Sequence, residues 1–416
     1  MRIQKTPYVS SLLSKIKNQR VFITAFIFLL SVLSLRAQNR EQAADSLFTS
    51  FMKRWLIQGA SIAIYKEGQV VYRKGLGYRD QQLLQPVQSD TRFRVASISK
   101  CFTAAGIMKL VQEHRLTLSQ RVFGAGALLE DRFYTEVISD PAIYAITVQN
   151  LLEHTAGWDR FSHTNQQGSG DPPFIPLLVT RTESSTNPVT EDVLIRYSLR
   201  RGLDHSPGEV FAYSNIGYLI LGKIIEEVTG ETYADFMQQE VFQPMGLSDF
   251  VLGKTRLAEQ QQRETYYFSD ELGLSCYGDK TLVSCAYGAY NIEAMNAHGG
   301  WLGTADEICR FVNNLNRYEG PYPLLNEAAV KQMLQASSAS KNYAKGWFVN
   351  AKGTFWHTGS LDGTASFTGT NKEGYCWTFL FNGRGDNSPQ FWKELDALPW
   401  HFLQLSTPLF QERSSI

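Results

Sequence analysis

The chain has 416 residues, 43% of them hydrophobic and 19% charged, which is typical of a globular protein with a large core. Forty basic residues balance forty acidic residues, so the formal net charge at pH 7 is zero. This balance argues against binding to nucleic acid or to an anionic membrane surface, because both need excess positive charge. The sequence has no C-x-x-C or H-E-x-x-H spacing and therefore indicates no metal site.

The N-terminus is predicted to be a secretory signal peptide over residues 1–37. Basic residues precede an apolar run from Val21 to Leu35, and Ala37 supplies the small residue at which cleavage is expected. The run is about 15 residues long, which is short for a membrane span of about 20. We expect a periplasmic or secreted protein with no stable membrane insertion after cleavage. An uncleaved N-terminal anchor is the alternative.

The mature chain is predicted to begin with a helix and a hairpin. Residues 42–56 have the amphipathic pattern of a helix. Two β-rich runs, at residues 59–65 and 69–74, flank a glycine-containing turn and predict two paired strands.

Ser97 and Lys100 form a Ser-x-x-Lys pair that leads into an apolar run over residues 101–111, predicted to be a buried helix. Residues three apart lie on the same helix face, so the Lys100 amine can reach the Ser97 hydroxyl. The backbone N–H groups of the helix N-terminus would stabilise negative charge on an oxygen there. Burial that lowers the pKa of Lys100 would let it accept the serine proton. Ser97 is therefore a candidate nucleophile.

From about residue 115 to 295, loops and helical patterns dominate. Residues 161–190, rich in Ser, Thr, Gly, Asn and Pro, are predicted to form an extended loop over a site. Tyr213 and Asn215 precede a predicted buried helix that ends at Gly230. The Tyr213 phenol can transfer a proton, and the Asn215 amide can hold a substrate carbonyl or Lys100. A core tyrosine and a helix-capping asparagine are the alternative interpretation.

The last third predicts a helix, then strands, then a closing helix over residues 389–405. Thr304 is the expected N-cap of the first helix, with Glu307 in the capping-box position. A His-Thr-Gly triplet at residues 357–359 lies on an apolar strand, where a glycine allows another backbone or a ligand to approach closely. Sheet elements near both ends with helices between them predict a sheet-based domain with a helical insertion.

The three motifs together resemble the serine β-lactamase and penicillin-binding-protein superfamily, in its class C-like serine hydrolase branch. They occur in the order Ser-x-x-Lys, Tyr-x-Asn, His-Thr-Gly, and further segments such as Leu-Leu-Glu-His-Thr-Ala-Gly-Trp at 151–158 are similar to that branch. The resemblance covers about residues 60–381. It implies an α+β (mixed α/β) fold of the β-lactamase/transpeptidase type, an antiparallel sheet flanked by helices with an inserted, mainly helical subdomain.

In residue numbers, this fold implies one hydrolase domain over residues 42–405. Its sheet part would occupy about 42–114 and 296–405, and its helical insert about 115–295.

The resemblance implies Ser97 as the acylated nucleophile and Lys100 as its proton partner. Tyr213 would be a general base or acid that also serves deacylation. The resemblance leaves two candidates, Lys100 and Tyr213, for the group that takes the first proton. The backbone N–H groups of Ser97 and Ser360 would form the oxyanion hole. No metal or cofactor is implied.

Four residues are implied to bind or orient the substrate: Asn215, His357, Thr358 and Gly359. Enzymes dedicated to β-lactams or D-Ala-D-Ala peptides usually have a lysine where His357 stands, and this permanent cation binds the substrate carboxylate. An imidazole with an ordinary pKa of about 6.5 is largely neutral at pH 7. The sequence therefore predicts an exported serine hydrolase that cleaves an ester or amide bond in a small-molecule or peptide-like substrate.

Two alternatives stay open from the sequence. One is a class C-type β-lactamase or D,D-carboxypeptidase. The other, from a different class, is a non-catalytic penicillin-binding or sensor protein, against which the intact set of Ser97, Lys100 and Tyr213 argues. The substrate groups and the oligomeric state do not follow from the sequence.

The chain has five cysteines, an odd number for an exported protein. Cys276 and Cys285 flank a short turn and are close in sequence, so a hairpin disulfide between them is one open hypothesis. Cys101, Cys309 and Cys376 have apolar surroundings and are expected to be buried free thiols.

Overall fold

A computed structural model of the chain describes residues 38–80, 82, 84–162, 170–317 and 323–406. The predicted signal peptide at residues 1–37 lies outside the described residues. These residues divide into two compact units, one made of 38–51 with 396–406 and the other of 52–395. In the smaller unit the rings of Phe48 and Phe402 lie 6.4 Å apart. In the part of the chain that the structure describes, no helix combines the length and the apolar character needed to cross a membrane.

The described residues contain twelve strands. In chain order they are β1 Gly59–Lys66, β2 Gln69–Asp80, β3 Gln85–Pro86, β4 Phe93–Arg94, β5 Val251–Leu252, β6 Leu272–Leu274, β7 Leu282–Ser284, β8 Trp301–Gly303, β9 Phe348–Val349, β10 Phe355–Leu361, β11 Thr364–Thr370 and β12 Tyr375–Phe381.

Seven of these strands form one antiparallel sheet in the order β3-β2-β1-β12-β11-β10-β9. Strands from the two ends of the chain meet at its centre, where Ile62 of β1 lies opposite Phe379 of β12. All seven residues of β11 are buried, as expected for a central strand that is covered on both faces. This sheet supports the candidate site through β10.

The described residues also contain twelve α-helices. They are α1 at 38–54, α2 Ser99–Gln112, α3 Arg132–Thr135, α4 Val148–Leu152, α5 Pro176–Thr182, α6 Glu191–Arg201, α7 Asn215–Thr229, α8 Tyr233–Phe236, α9 Asn296–Gly299, α10 Ala305–Arg317, α11 Glu327–Met333 and α12 Pro389–Ser406.

The mixed α/β fold with an antiparallel sheet and flanking helices is confirmed, and several helix boundaries agree closely with the sequence pattern. The predicted helix over 101–111 is α2, which is buried along most of its length. Helix α7 ends where Gly230 takes the left-handed conformation, with φ at +75°. Helix α10 starts after Thr304, whose hydroxyl accepts a hydrogen bond from Glu307 N at 3.2 Å.

One predicted capping contact and one alternative interpretation, the helix-capping asparagine, were wrong. The Glu307 carboxylate does not complete a capping box, because it accepts hydrogen bonds from the backbone N–H groups of Ser248 and Asp249 at 2.9 and 2.8 Å. Asn215 is not the cap of α7 either. That cap is Ser214, whose hydroxyl accepts from Gly217 N at 3.4 Å, and the Asn215 side chain is thereby left for other contacts.

The predicted extended loop over residues 161–190 was wrong for its second half, which contains α5. A proline at the first position of this helix fixes φ in the helical range and needs no backbone N–H partner there. Residues 163–169, in the first half of the predicted loop, lie outside the described residues.

All five cysteines are free thiols. In the β6–β7 hairpin Leu274 lies opposite Leu282 and Leu272 opposite Ser284. This register puts Cys276 near the turn and Cys285 at the far end, where its backbone N–H donates to Glu271 O. A disulfide between the two is therefore excluded by the hairpin geometry of this structure.

Candidate active site

Ser97 lies just before α2, in a single 3-10 turn over Ala96–Ile98. Ala96 has φ at +48°, an uncommon backbone conformation for a residue with a side chain. The sheet holds this turn in place, because the Ser366 hydroxyl of β11 donates a hydrogen bond to Val95 O at 2.7 Å. The backbone around Ser97 is thus tied to the central sheet.

Gly359 brings β10 against the same turn. A Cβ atom at this position would lie 2.4 Å from Val95 O and 2.3 Å from Ser366 Oγ, so only glycine fits without a shift of the turn. Along β10, His357 and Gly359 are buried, while Thr358 and Ser360 are half-buried. The strand therefore places residues of the His-Thr-Gly triplet next to the Ser97 turn.

The outer edge of β10 is only partly paired. Strand β9 pairs with Phe355 and Trp356 alone. From residue 357 to 361, the backbone on that side of β10 is not engaged by β9. Such an edge can pair with an extended ligand.

Lys100 is fully buried beneath Ser97. Its Nζ lies 3.2 Å from Ser97 Oγ, and it donates hydrogen bonds to Asn215 Oδ1 at 2.7 Å and to His298 O at 2.8 Å. Burial holds the pKa of Lys100 well below its usual range, and the positive charge of Arg160 lowers it further. In its neutral form the amine would use its two N–H groups on the two carbonyl oxygens and turn its lone pair to Ser97.

Tyr213 is half-buried next to the Ser97–Lys100 pair. Burial raises the pKa of its phenol, so Tyr213 keeps its proton at neutral pH. Its ring centroid is 5.0 Å from Lys100 Nζ. Ser97 therefore lies near an amine whose pKa is lowered and a phenol whose pKa is raised.

Asp171 orients the Asn215 amide. The Asp171 carboxylate is 2% exposed, and its Oδ2 accepts a hydrogen bond from Asn215 Nδ2 at 2.5 Å. With its nitrogen held by Asp171, the Asn215 amide must present its oxygen to Lys100. The negative charge of Asp171 also acts to raise the pKa of Lys100, against the larger effect of burial.

His357 is a buried, neutral imidazole. Burial and the neighbouring Lys100 lower its pKa from 6.5 to about 3. Its Nδ1–H faces Thr358 O at 2.6 Å, which leaves Nε2 as an acceptor 3.4 Å from the Tyr343 hydroxyl. His357 therefore supplies no positive charge to the site at neutral pH.

A second neutral histidine continues this chain of hydrogen bonds. Ser214 N donates to His154 Nδ1 at 3.2 Å, so the ring proton is on Nε2, 3.1 Å from the Tyr343 hydroxyl. The His154 ring packs against the Tyr213 ring with centroids 4.2 Å apart. The chain from His154 through Tyr343 to His357 thus supports the inner face of Tyr213.

The structure brings together Ser97, Lys100, Tyr213, Asn215 and His357, which the sequence singled out from three distant segments. The supporting Asp171 and Tyr343 were not identified from the sequence. A carboxylate just before the consecutive prolines at 172–173 was a weak signal for Asp171. No local pattern pointed to Tyr343.

Outside this site, one cluster among the described residues has metal-ligand chemistry. The ligand atoms of Glu271, Cys285 and Asp362 lie within 4.8 Å of one another. Arg384 donates hydrogen bonds to both carboxylates, and the bond to Glu271 Oε1 is 3.0 Å long. Its positive charge already compensates the negative charge that a metal cation would need. The cluster is an ion-pair network.

The family model described as Beta-lactamase matches residues 44–398. The chain therefore belongs to the beta-lactamase family, within the superfamily that also contains the penicillin-binding proteins. Protein flp of Staphylococcus aureus strain MW2 is 26% identical over 366 residues, which are 86% of this chain and 66% of that protein. The chain thus spans only about two thirds of that relative's length.

Solved structures share the fold. The octameric penicillin-binding protein homologue from Pyrococcus abyssi has a TM-score of 0.66 at 23% identity, with 89% of this chain and 78% of that chain covered. The D-amino acid amidase from Ochrobactrum anthropi SV3 has a TM-score of 0.66 at 22% identity, with 88% and 98% covered.

Proposed function

We propose that this protein is an exported serine hydrolase that cleaves an ester or amide bond through an acyl-enzyme on Ser97. The observation that carries the proposal is the buried amine of Lys100, 3.2 Å from Ser97 Oγ, with its pKa well below the usual range. A lowered pKa favours a lysine as a proton acceptor, and such a shift beside a serine hydroxyl is typical of a catalytic site. Family membership supports the same reaction class.

In the acylation step, Ser97 Oγ attacks the substrate carbonyl carbon while its proton passes to Lys100 Nζ. Asn215 Oδ1 and His298 O hold the Lys100 N–H groups, so the lone pair faces the serine. The charge that develops on the carbonyl oxygen would be stabilised by the backbone N–H groups of Ser97 and Ser360. The close approach of β10 at Gly359 supports this assignment.

Collapse of the tetrahedral intermediate breaks the bond to the leaving group. Tyr213, which keeps its phenolic proton at neutral pH, donates it to the leaving oxygen or nitrogen, and Lys100 returns a proton to Tyr213. A water molecule then attacks the acyl carbon and gives its proton to Lys100. As the bond between the acyl carbon and Ser97 Oγ breaks, Lys100 passes that proton to Ser97 Oγ, and the free acid leaves. We assign the first base to Lys100 because burial lowers the pKa of Lys100 and raises that of Tyr213.

The neutral state of His357 bears on the substrate. A buried imidazole with a pKa of about 3 offers no cation to a substrate carboxylate beside β10. Thr358 and Gly359 would then orient the substrate by backbone contacts along the open edge of β10. This favours a general ester or amide hydrolase over a dedicated β-lactamase or D,D-carboxypeptidase.

Time-resolved intact mass of the mature protein mixed with a penicillin or an activated ester tests the proposal. We expect a mass increase equal to the acyl group in the wild type and none in the Ser97→Ala variant. A Lys100→Met variant should lose ester turnover by a factor of at least about a thousand, because it lacks the base. Turnover that survives in Ser97→Ala would refute the acyl-enzyme mechanism.

The substitution Arg132→Gln serves as the matched control, since this arginine is 91% exposed on α3 and is not part of the candidate site. It should still form the adduct. The predicted export is tested separately by N-terminal sequencing of the protein recovered from outside the cytoplasm, where cleavage after Ala37 is expected.

A further inference from the structure

Arg160 lies beside the candidate active site, in the segment that follows α4. Its guanidinium carbon is 5.7 Å from the centroid of the Tyr213 ring, and 33% of its side chain is exposed. Its charge is close enough to lower the pKa values of Lys100 and His154. A cation is thus present at the site, on a different element from β10.

Arg160 makes no hydrogen bond through its guanidinium to any of the residues that the structure describes. The carboxylate oxygen Oδ2 of Asp171 is 3.8 Å from Arg160 Nε, which is too far for a hydrogen bond. The same oxygen already accepts from Asn215 Nδ2. Asp171 therefore attracts the guanidinium but leaves its planar set of five N–H donors available.

Burial lowers the pKa values of the other basic side chains near Ser97, which are Lys100, His154, His298 and His357. The three histidines are therefore neutral at pH 7. Among the charges that act on Lys100, Arg160 supplies the positive one and Asp171 a negative one. A guanidinium with free donors matches a carboxylate or another planar oxyanion.

We propose that Arg160 binds an anionic group of the substrate next to the bond that is cleaved. The ligand class is an ester or amide with a carboxylate or comparable oxyanion on its acyl part. This inference rests on the proposed function, because it assigns a specificity to the same site. It predicts that the enzyme prefers anionic substrates to neutral ones and neutral substrates to cationic ones.

The first test compares three matched 4-nitrophenyl esters: the adipate monoester, which is anionic, its neutral methyl adipate counterpart, and the cationic 6-aminohexanoate. The readout is the ratio of kcat/KM for the anionic and the neutral ester, with the rate of Ser97→Ala subtracted. A substitution at Arg160 also changes the pKa of Lys100. At one pH this change alters kcat/KM for both esters by the same factor, so it cancels in the ratio.

We expect the wild type to favour the anionic ester, and Arg160→Gln to reduce the ratio by about tenfold or more, the usual effect of losing a hydrogen bond to a charged group. Arg160→Lys should keep part of the preference, because it retains the charge but not the planar donor set. Arg132→Gln, at an arginine that is 91% exposed on α3, is the control and should keep the wild-type ratio. An unchanged ratio in Arg160→Gln would overturn the inference.

A second measurement separates this inference from the proposed function. The dissociation constants of the anionic and neutral esters are measured for two proteins, Ser97→Ala and the double variant Ser97→Ala/Arg160→Gln. Neither protein has the nucleophile, so binding is measured without turnover. Charge discrimination in binding without hydrolysis by the wild type would refute the hydrolase and retain the anion site. Hydrolysis without charge discrimination would retain the hydrolase and refute the anion site.

Discussion

The buried imidazole of His357 should make the folded protein sensitive to mild acid. Its pKa is about 3 in the folded protein and about 6.5 in an unfolded chain. Between these values the unfolded chain binds a proton that the folded protein does not, so stability falls as the pH falls from about 6.5 towards 3. At about pH 5 the loss attributable to His357 is about 2 kcal/mol relative to about pH 7.5.

The assay is urea unfolding followed by tryptophan fluorescence at about pH 7.5 and about pH 5, in the wild type and His357→Gln. The variant has no imidazole at this position, so the difference in the free energy of unfolding between the two pH values should shrink by about 2 kcal/mol. Thr358→Val changes the adjacent residue without removing a titrating group and should keep the wild-type difference.

An undiminished pH difference in His357→Gln would refute this reasoning. It would mean that the folded protein accepts a proton on His357 at about pH 5 as readily as the unfolded chain does. His357 could then act as a cation for a substrate carboxylate, and the preference against β-lactam-type substrates would lose its physical basis.

Two further predictions follow from charges in the same region. Asp171→Asn removes a negative charge that raises the pKa of Lys100. The pKa of Lys100 should therefore fall, and the acid limb of the pH profile of kcat/KM should move to lower pH. A shift to higher pH would contradict the assignment of Lys100 as the base. Lys345→Met breaks a buried ion pair, 2.7 Å from Lys345 Nζ to Glu153 Oε1, and should lower the free energy of unfolding by about 3–5 kcal/mol. Glu153→Gln added to that variant should recover part of the loss in urea unfolding, and no recovery would indicate that the lost free energy came from packing.

Much of the candidate site was predictable because its residues lie in short sequence motifs. Ser97 and Lys100 are three residues apart and precede an apolar run, a spacing that predicts their proximity. In the structure, a 3-10 turn before α2 brings Ser97 to Lys100. Tyr213 and Asn215 precede a strongly apolar helix. The roles assigned to these residues stay predictions until the variants are measured.

The supporting residues could not be predicted, since their contacts join segments with no local pattern. Asp171 reaches Asn215 across 44 residues, and Tyr343 reaches His154 across 189. The charge state of His357 was predicted only in part from the sequence. The sequence indicated a histidine with an ordinary pKa, whereas burial makes the imidazole neutral far below pH 7.

The five free thiols have a practical consequence for handling the protein. Burial raises the pKa values of Cys101 and Cys376, and those of Cys276 and Cys285 rise to about 12 and about 11, so these sulfurs stay protonated and react slowly with oxidants. The fold contains no disulfide that an oxidising compartment would have to supply. The mature chain should therefore reach its native state in the reducing cytosol of an expression host, without a disulfide isomerase, and should tolerate reducing agents during purification.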